Sequence, residues 1–145
     1  MKPYLLLISC FGIATICLVL YARSQKPITN YDRRVNENLE KVTILYVPLA
    51  TKAPVVVSCD QLQTVFGKKL KVLEITDQQK LKKIATLFLN AVSAKDRYLN
   101  VRAKFILRYE KHTETYCMDR EGTLEGYEFR WGPEIAKWFR QEVEK

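Results

Sequence analysis

The chain opens with an uninterrupted apolar run and then changes to short blocks of alternating apolar and polar residues. Pro3 to Ala22 contains no charged residue, and as a helix it would extend about 30 Å, the thickness of a hydrocarbon core. A run without a polar stripe has no face for water, which argues against a helix of a soluble core. The pattern therefore predicts a membrane anchor or signal segment over residues 1–24, a tether over 25–40 and a single domain over 41–145.

Three interpretations of the apolar segment remain open, and an uncleaved anchor is the one we favour. A cleaved signal peptide would end at Ser24, where small residues precede the cleavage point. A lipoprotein signal would use Cys10, which lies too near the start. The short amino-terminal tail with Lys2 favours export, whereas the arginines at 33–34 favour a cytoplasmic domain. We expect the domain to be extracytoplasmic, anchored in the membrane through residues 3–22, or secreted.

Strands are predicted where β-branched residues cluster or where apolar and polar residues alternate. Val42 to Val47 ends at Pro48, and the apolar triplet at 55–57 is predicted to pair with it as a hairpin. The clearest alternation runs from Leu99 to Tyr109, with apolar residues on one face and basic residues on the other. Further strands are predicted at Lys69 to Ile75, His112 to Met118 and Tyr127 to Trp131.

Helices are predicted after two capping boxes, Ser58 to Gln61 and Thr76 to Gln79. The first helix is short and stops at Gly67, the second extends to about residues 93–96, and a third opens at Pro133. The apolar stripes of the two longer helices are Leu81, Ile84, Ala85, Phe88, Ala91 and Val92, then Ile135, Trp138, Phe139 and Val143. The order of elements predicts an α+β fold, a small and mostly antiparallel sheet with helices packed on one face.

The four cysteines form two groups. Cys10 and Cys17 lie in the apolar segment, where a thiol behaves as a small hydrophobic group. Cys59 and Cys117 lie in the domain, and in an exported protein such a pair predicts a disulfide. The alternative makes Cys59, at the predicted start of the first helix, a nucleophile assisted by His112. We favour the disulfide, which would remove that nucleophile.

Basic residues give the chain a net charge of +8 at pH 7. Arg102, Lys104 and Arg108 share one face of the longest predicted strand and form a candidate basic surface for anionic lipid or nucleic acid. Ile106 interrupts this row, and the other basic residues are spread through the domain. We therefore expect a solvated sheet face and do not expect nucleic acid as a partner.

Motifs of catalysis and ligand binding are absent from the sequence. It has no phosphate-binding glycine loop, no G-x-S-x-G turn, no H-E-x-x-H and no C-x-x-C, and its single histidine is His112. We therefore predict no metal, no cofactor and no enzymatic activity. The expected function is that of a small, anchored or exported module that binds another protein, in an inhibitor or immunity-type role. The alternative is an anchored thiol-dependent enzyme that uses Cys59 and His112.

Overall fold

Two long central strands organise the fold, which the computed structural model describes over residues 38–53, 55–95, 98–126 and 129–145. The predicted anchor and almost all of the predicted tether lie outside the described residues. Within the described ranges, no helix is both long and apolar enough to cross a bilayer.

Seven strands and three helices make up the described part of the chain. In chain order they are β1 (Leu39–Tyr46), α1 (Leu62–Phe66) with a 3₁₀ turn (Gly67–Lys69), β2 (Lys71–Ile75), α2 (Gln78–Leu89), β3 (Val92–Ser93), β4 (Val101–Tyr109), β5 (Thr113–Asp119), β6 (Thr123–Glu125), β7 (Arg130–Trp131) and α3 (Pro133–Glu142). In space the strands follow the order β2-β1-β4-β5-β6-β7-β3. Every neighbouring pair is antiparallel. The predicted α+β class and antiparallel sheet are confirmed.

One face of the sheet carries the larger part of the core, beneath α2 and α3. Phe105 and Leu107 of β4 are fully buried there, beside Ile44 of β1. The helices contribute Leu81, Ile84 and Phe88 from α2 and Ile135, Ala136, Trp138 and Phe139 from α3. The rings of Phe88 and Phe105 meet edge to face, with their centroids 5.3 Å apart. The apolar spacing of the sequence therefore identified the buried side of both long helices.

The ends of α2 differ from the prediction by a few residues. Asp77 is its N-cap, one residue after the predicted cap, and its Oδ1 accepts a hydrogen bond from the backbone N–H of Lys80 at 2.9 Å. The helix ends at Leu89, three residues before Val92, which belongs to the strand β3 and pairs there with Trp131 of β7. Val92 is 57% exposed, so its predicted place in the buried stripe is wrong.

The helices do not all lie on one face, which corrects the prediction. Leu62 and Phe66 of α1 pack with Val47, Val101 and Cys117 in a second cluster. Tyr116 and Met118, on either side of Cys117 in β5, belong to the larger core. Successive strand residues face opposite sides of a sheet, so Cys117 lies on the other face. The short helix α1 therefore covers part of the second face, while α2 and α3 cover the first.

The predicted hairpin between β1 and residues 55–57 is also wrong. The strand neighbours of β1 are β2 and β4, and only Val57 of the triplet is buried. Its carbonyl accepts from the N–H of Val101 at 2.8 Å, so the triplet is attached beside the start of β4. Two smaller differences are that β1 begins at Leu39, inside the predicted tether, and that the predicted loop after β5 contains β6.

Candidate functional site

A disulfide connects the segment before α1 to the second face of the sheet. The Sγ atoms of Cys59 and Cys117 are bonded, and their Cα atoms are 5.6 Å apart, within the range of Cα separations that a bridge requires. Cys117 is completely buried on β5. Cys59 lies in the turn before α1, which begins only at Leu62, so its predicted place at the first helical position is wrong. The bonded pair is compatible with an oxidising, extracytoplasmic location.

A groove of about 860 Å³ opens beside this disulfide. One wall is the segment before α1, with Val56, Ser58 and Gln61. The other wall precedes β4 and contains Tyr98 and Leu99. Its remaining lining residues are Glu125 and Phe129. The surface of the groove is therefore mixed, with apolar side chains from both walls and the carboxylate side chain of Glu125.

The first wall is held in place by bonds other than strand pairing. Val57 donates its N–H to Oδ1 of Asn100 at 3.2 Å, and the N–H of Val101 donates back to the Val57 carbonyl at 2.8 Å. The Ser58 N–H donates to Oε1 of Gln61 at 3.3 Å. The Gln61 side chain therefore reaches back to Ser58 as the predicted capping box requires, but the helix does not begin there. These bonds fix the backbone directly after Val56, while its side chain remains exposed.

Two apolar side chains of the groove are unusually accessible. Tyr98 is 99% exposed and Val56 is 60% exposed, although each has a buried neighbour in Leu99 or Val57. An isolated exposed apolar residue needs no explanation, but a concave site lined by exposed aromatic and aliphatic groups is typical of ligand-binding surfaces. These two residues are the most accessible apolar groups of the groove.

Glu125 supplies the charged group of the groove. It is the strand partner of Cys117, so its side chain lies on the same sheet face as the disulfide. It is partly buried, and its carboxylate has no ion-pair or hydrogen-bond partner among the described residues. A partly desolvated carboxylate without a partner favours the approach of a cation.

The three residues of the predicted basic surface do not share one exposed patch. Arg102 is only 5% exposed, and its guanidinium lies 5.6 Å from the ring centroid of Phe66. Lys104 is half-buried, as the strand partner of Leu45 and Cys117. Arg108 is exposed, with Nε 3.9 Å from a carboxylate oxygen of Glu40. Arg102 is therefore removed from the candidate surface, because the strand pairing places it under the loop after β1.

Cys59 and His112 are not brought together. The imidazole of His112 stacks on Tyr109 with centroids 4.7 Å apart, and its Nε2 lies 3.3 Å from Oε1 of Glu114. His112 precedes β5 at the end away from Cys117, five residues or about 16 Å along the strand. The thiol that the alternative enzyme would require is held in the disulfide.

The groove itself was missed by sequence reasoning. Val56 belonged to a triplet that resembles a buried strand, and Glu125 lay in an apparent loop. Tyr98 and Phe129 belong to different parts of the chain, so their proximity depends on how the strands pair. The chain matches no protein-family model, no curated protein and no solved structure.

Proposed function

We propose that this protein is a non-enzymatic, extracytoplasmic binding module that takes a segment of another protein into the groove beside the disulfide. The observation that carries the proposal is the pair of accessible apolar residues, Val56 and Tyr98, on the two walls of one groove. Tyrosine supplies a large apolar contact together with a polar hydroxyl and is frequent among the residues that dominate binding energy.

Glu125 defines the chemistry of the expected partner. Its carboxylate lies in the groove without a partner among the described residues. A partner segment with a lysine or arginine next to an apolar side chain would complete this charge and cover the two apolar walls. Complementary charge of this kind contributes mainly to specificity and to the association rate.

The disulfide supports the proposal in two ways. It fixes one wall of the groove to the sheet, which lowers the ordering cost of binding. It also fits a protein exported from the cytoplasm, anchored through residues 3–22 or secreted. An inhibitor or immunity-type role is one form that such a binding module would take.

A site-specific crosslinking experiment tests the proposal. Benzoylphenylalanine in place of Tyr98, in the full chain expressed in its host, should give one discrete protein adduct after irradiation. The adduct should be lost in the Val56→Asp variant, because the apolar contact at position 56 is replaced by a carboxylate that binding would have to desolvate. The matched control places the crosslinker at Lys111, an exposed hairpin residue. The same adducts from positions 98 and 111, or none from position 98, would contradict the proposal.

A further inference from the structure

The sheet face that carries the groove continues toward the edge strand β3. Thr123 and Glu125 of β6 flank Leu124, which belongs to the larger core, so both lie on the second face, as Cys117 does. Trp131 of β7 lies directly opposite Thr123, and Val92 of β3 lies directly opposite Trp131. Because directly paired strand residues share one face of a sheet, Trp131 and Val92 also lie on the second face.

The contacts of Arg130 agree with this assignment. Arg130 precedes Trp131 in β7 and lies opposite Leu124, and its Nη1 donates to the carbonyl of Phe88 in α2 at 3.0 Å. The helix α2 covers the first face, so Arg130 points to that face. Trp131, as the next residue of the strand, points to the other.

Trp131 and Val92 form an accessible apolar pair, which we call the edge patch. Trp131 is 47% exposed and Val92 is 57% exposed. Side chains directly opposite each other on paired strands have their Cβ atoms about 5 Å apart, so the two surfaces adjoin. On this face the short helix α1 packs against residues of β4 and β5, whereas the edge patch belongs to β7 and β3.

The edge patch lies one diagonal step from the carboxylate of the groove. Glu125 is two residues from Thr123, the strand partner of Trp131, so Glu125 and Trp131 are diagonal neighbours, about 7–8 Å apart. Phe129, which lines the groove, is two residues from Trp131 in the same direction. The groove and the edge patch are therefore continuous on one face of the sheet.

This diagonal matches the repeat of an extended peptide. Two residues of an extended chain cover about 6.6–6.8 Å, and their side chains point to the same side. An extended segment on this face can therefore place one side chain at Glu125 and the side chain two residues away on Trp131. Adjacent residues of such a segment point in opposite directions and cannot reach both.

We infer that the groove and the edge patch together bind an extended partner segment with a lysine or arginine and, two residues away, a large apolar side chain. This inference rests on the proposed function and adds the spacing that the groove alone does not define. The basic side chain would pair with Glu125, whose carboxylate has no partner among the described residues. The apolar side chain would cover Trp131 and Val92. Tryptophan is frequent among residues that dominate binding energy, and complementary charge fixes the register of a bound segment.

Pools of labelled heptapeptides, titrated with the full chain in a maltoside detergent, test the spacing. Each pool has lysine at position 4 and leucine at position 2, 3, 5 or 6, with the same mixture of uncharged residues elsewhere. Fluorescence anisotropy measures the affinity. We expect a pool with leucine at position 2 or 6 to bind about tenfold or more tightly than the pools with leucine at 3 or 5, as expected for contact with an aromatic residue that dominates binding.

Variants of exposed residues assign each half of the motif to its contact. Trp131→Ala should remove the advantage of the two-residue spacing, and Glu125→Gln should remove the preference for lysine over glutamine at position 4. Val92→Ser is a second variant of the edge patch, used together with Trp131→Ala, and thermal unfolding is measured on both. The control is Val72→Ala, an apolar residue that is 63% exposed on β2, at the opposite end of the strand order. It should bind the pools as the parent does.

The outcomes distinguish this inference from the proposed function. Saturable binding that is lost in Val56→Asp but unchanged in Trp131→Ala and Val92→Ser would overturn the inference and leave the groove as the binding site. Equal binding of all four pools would also overturn it, because the spacing would then be irrelevant. No saturable binding of any pool would count against both the inference and the proposed function.

Discussion

Cys59 and Cys117 join the turn before α1 to a buried position in the middle of β5, with 5.6 Å between their Cα atoms. The bond closes a stretch of chain with a sequence separation of 58 residues and crosses from a loop to the second sheet face. The chain that follows Cys59 enters α1, and the chain that leads to Cys117 passes through β4 and the first part of β5. The bridge therefore links the least regular part of the described domain to its most regular part.

The first prediction concerns the stability that this bridge contributes. On the chain-entropy model, a loop of this length corresponds to about 4 kcal/mol, a large fraction of the stability of a domain of this size. Cys59→Ser and Cys117→Ser should therefore lower the melting temperature by similar amounts. The double variant should lose little more than either single variant, because both remove the same bond.

Thiol alkylation of the native protein, isolated from an oxidising compartment, provides the independent check. Neither Cys59 nor Cys117 should be modified before reduction. Rapid alkylation of both sites would show that the bridge is absent, and Cys59 would again be a candidate nucleophile of a thiol-dependent enzyme.

The second prediction separates binding from folding at the groove. Tyr98→Ala and Val56→Asp should change the free energy of unfolding by less than about 1 kcal/mol, since both side chains are largely exposed. Both should weaken capture of the partner identified by the crosslinker. Chemical denaturation and quantitative binding are measured on the same preparations. A large loss of stability in either variant would show that the groove is part of the structural core.

The third prediction concerns the carboxylate in the groove. Glu125→Lys should slow association with a basic partner segment, and the parent protein should bind more slowly at high salt. Glu110→Lys, a charge reversal at an exposed hairpin position, is the control and should have little effect. Stopped-flow or surface-based kinetics measure the association rate. Equal effects of the two reversals would point to net charge instead of a specific contact.

The fourth prediction compares buried with exposed positions on α2 and β4. Phe88→Ala and Phe105→Ala should each cost about 3–5 kcal/mol, because both rings are buried and contact each other. Lys82→Ala, on the exposed side of α2, should cost well under about 1 kcal/mol. Denaturant titrations give these values directly. Similar losses at Lys82 and Phe88 would mean that the buried side of α2 is misassigned.

The fifth prediction concerns topology and depends on residues outside the described ranges. A phosphatase fused after Lys145 should be active, and a fluorescent protein fused at the same position should be weakly fluorescent. This pattern follows if the apolar segment at 3–22 exports the domain. The reverse pattern would place the domain in the cytoplasm, as the arginines at 33–34 favour.

Local chemistry was sufficient to predict several elements of the fold. The i, i+3, i+4 spacing of Leu81, Ile84 and Phe88 identified the buried side of α2, and Gly67 marked the end of α1, where its φ of 46° suits glycine. The alternation in β4 and the proline at the start of α3 were equally informative. These features are visible in sequence because each depends on residues close together in the chain.

The candidate site depended on contacts between distant residues. Val55 and Val56 have the composition of a buried strand, but tertiary contacts attach Val57 to the start of β4 and leave the other two exposed. Arg102 follows the alternation of an exposed face, but a bulge in β4 and the loop after β1 bury it. Neither the extra residue of a bulge nor the position of a covering loop has a local sequence signature.

The sequence by itself determined the α+β class, the buried sides of the long helices and the pairing of the two domain cysteines as a hypothesis. Periodicity and capping are short-range properties, so they are present in the order of residues. The tertiary structure decided which sheet face α1 covers, which strands adjoin β1 and which side chains meet in the groove. Those outcomes depend on strand register and on packing between segments far apart in the chain, because a given strand pattern is compatible with several neighbours.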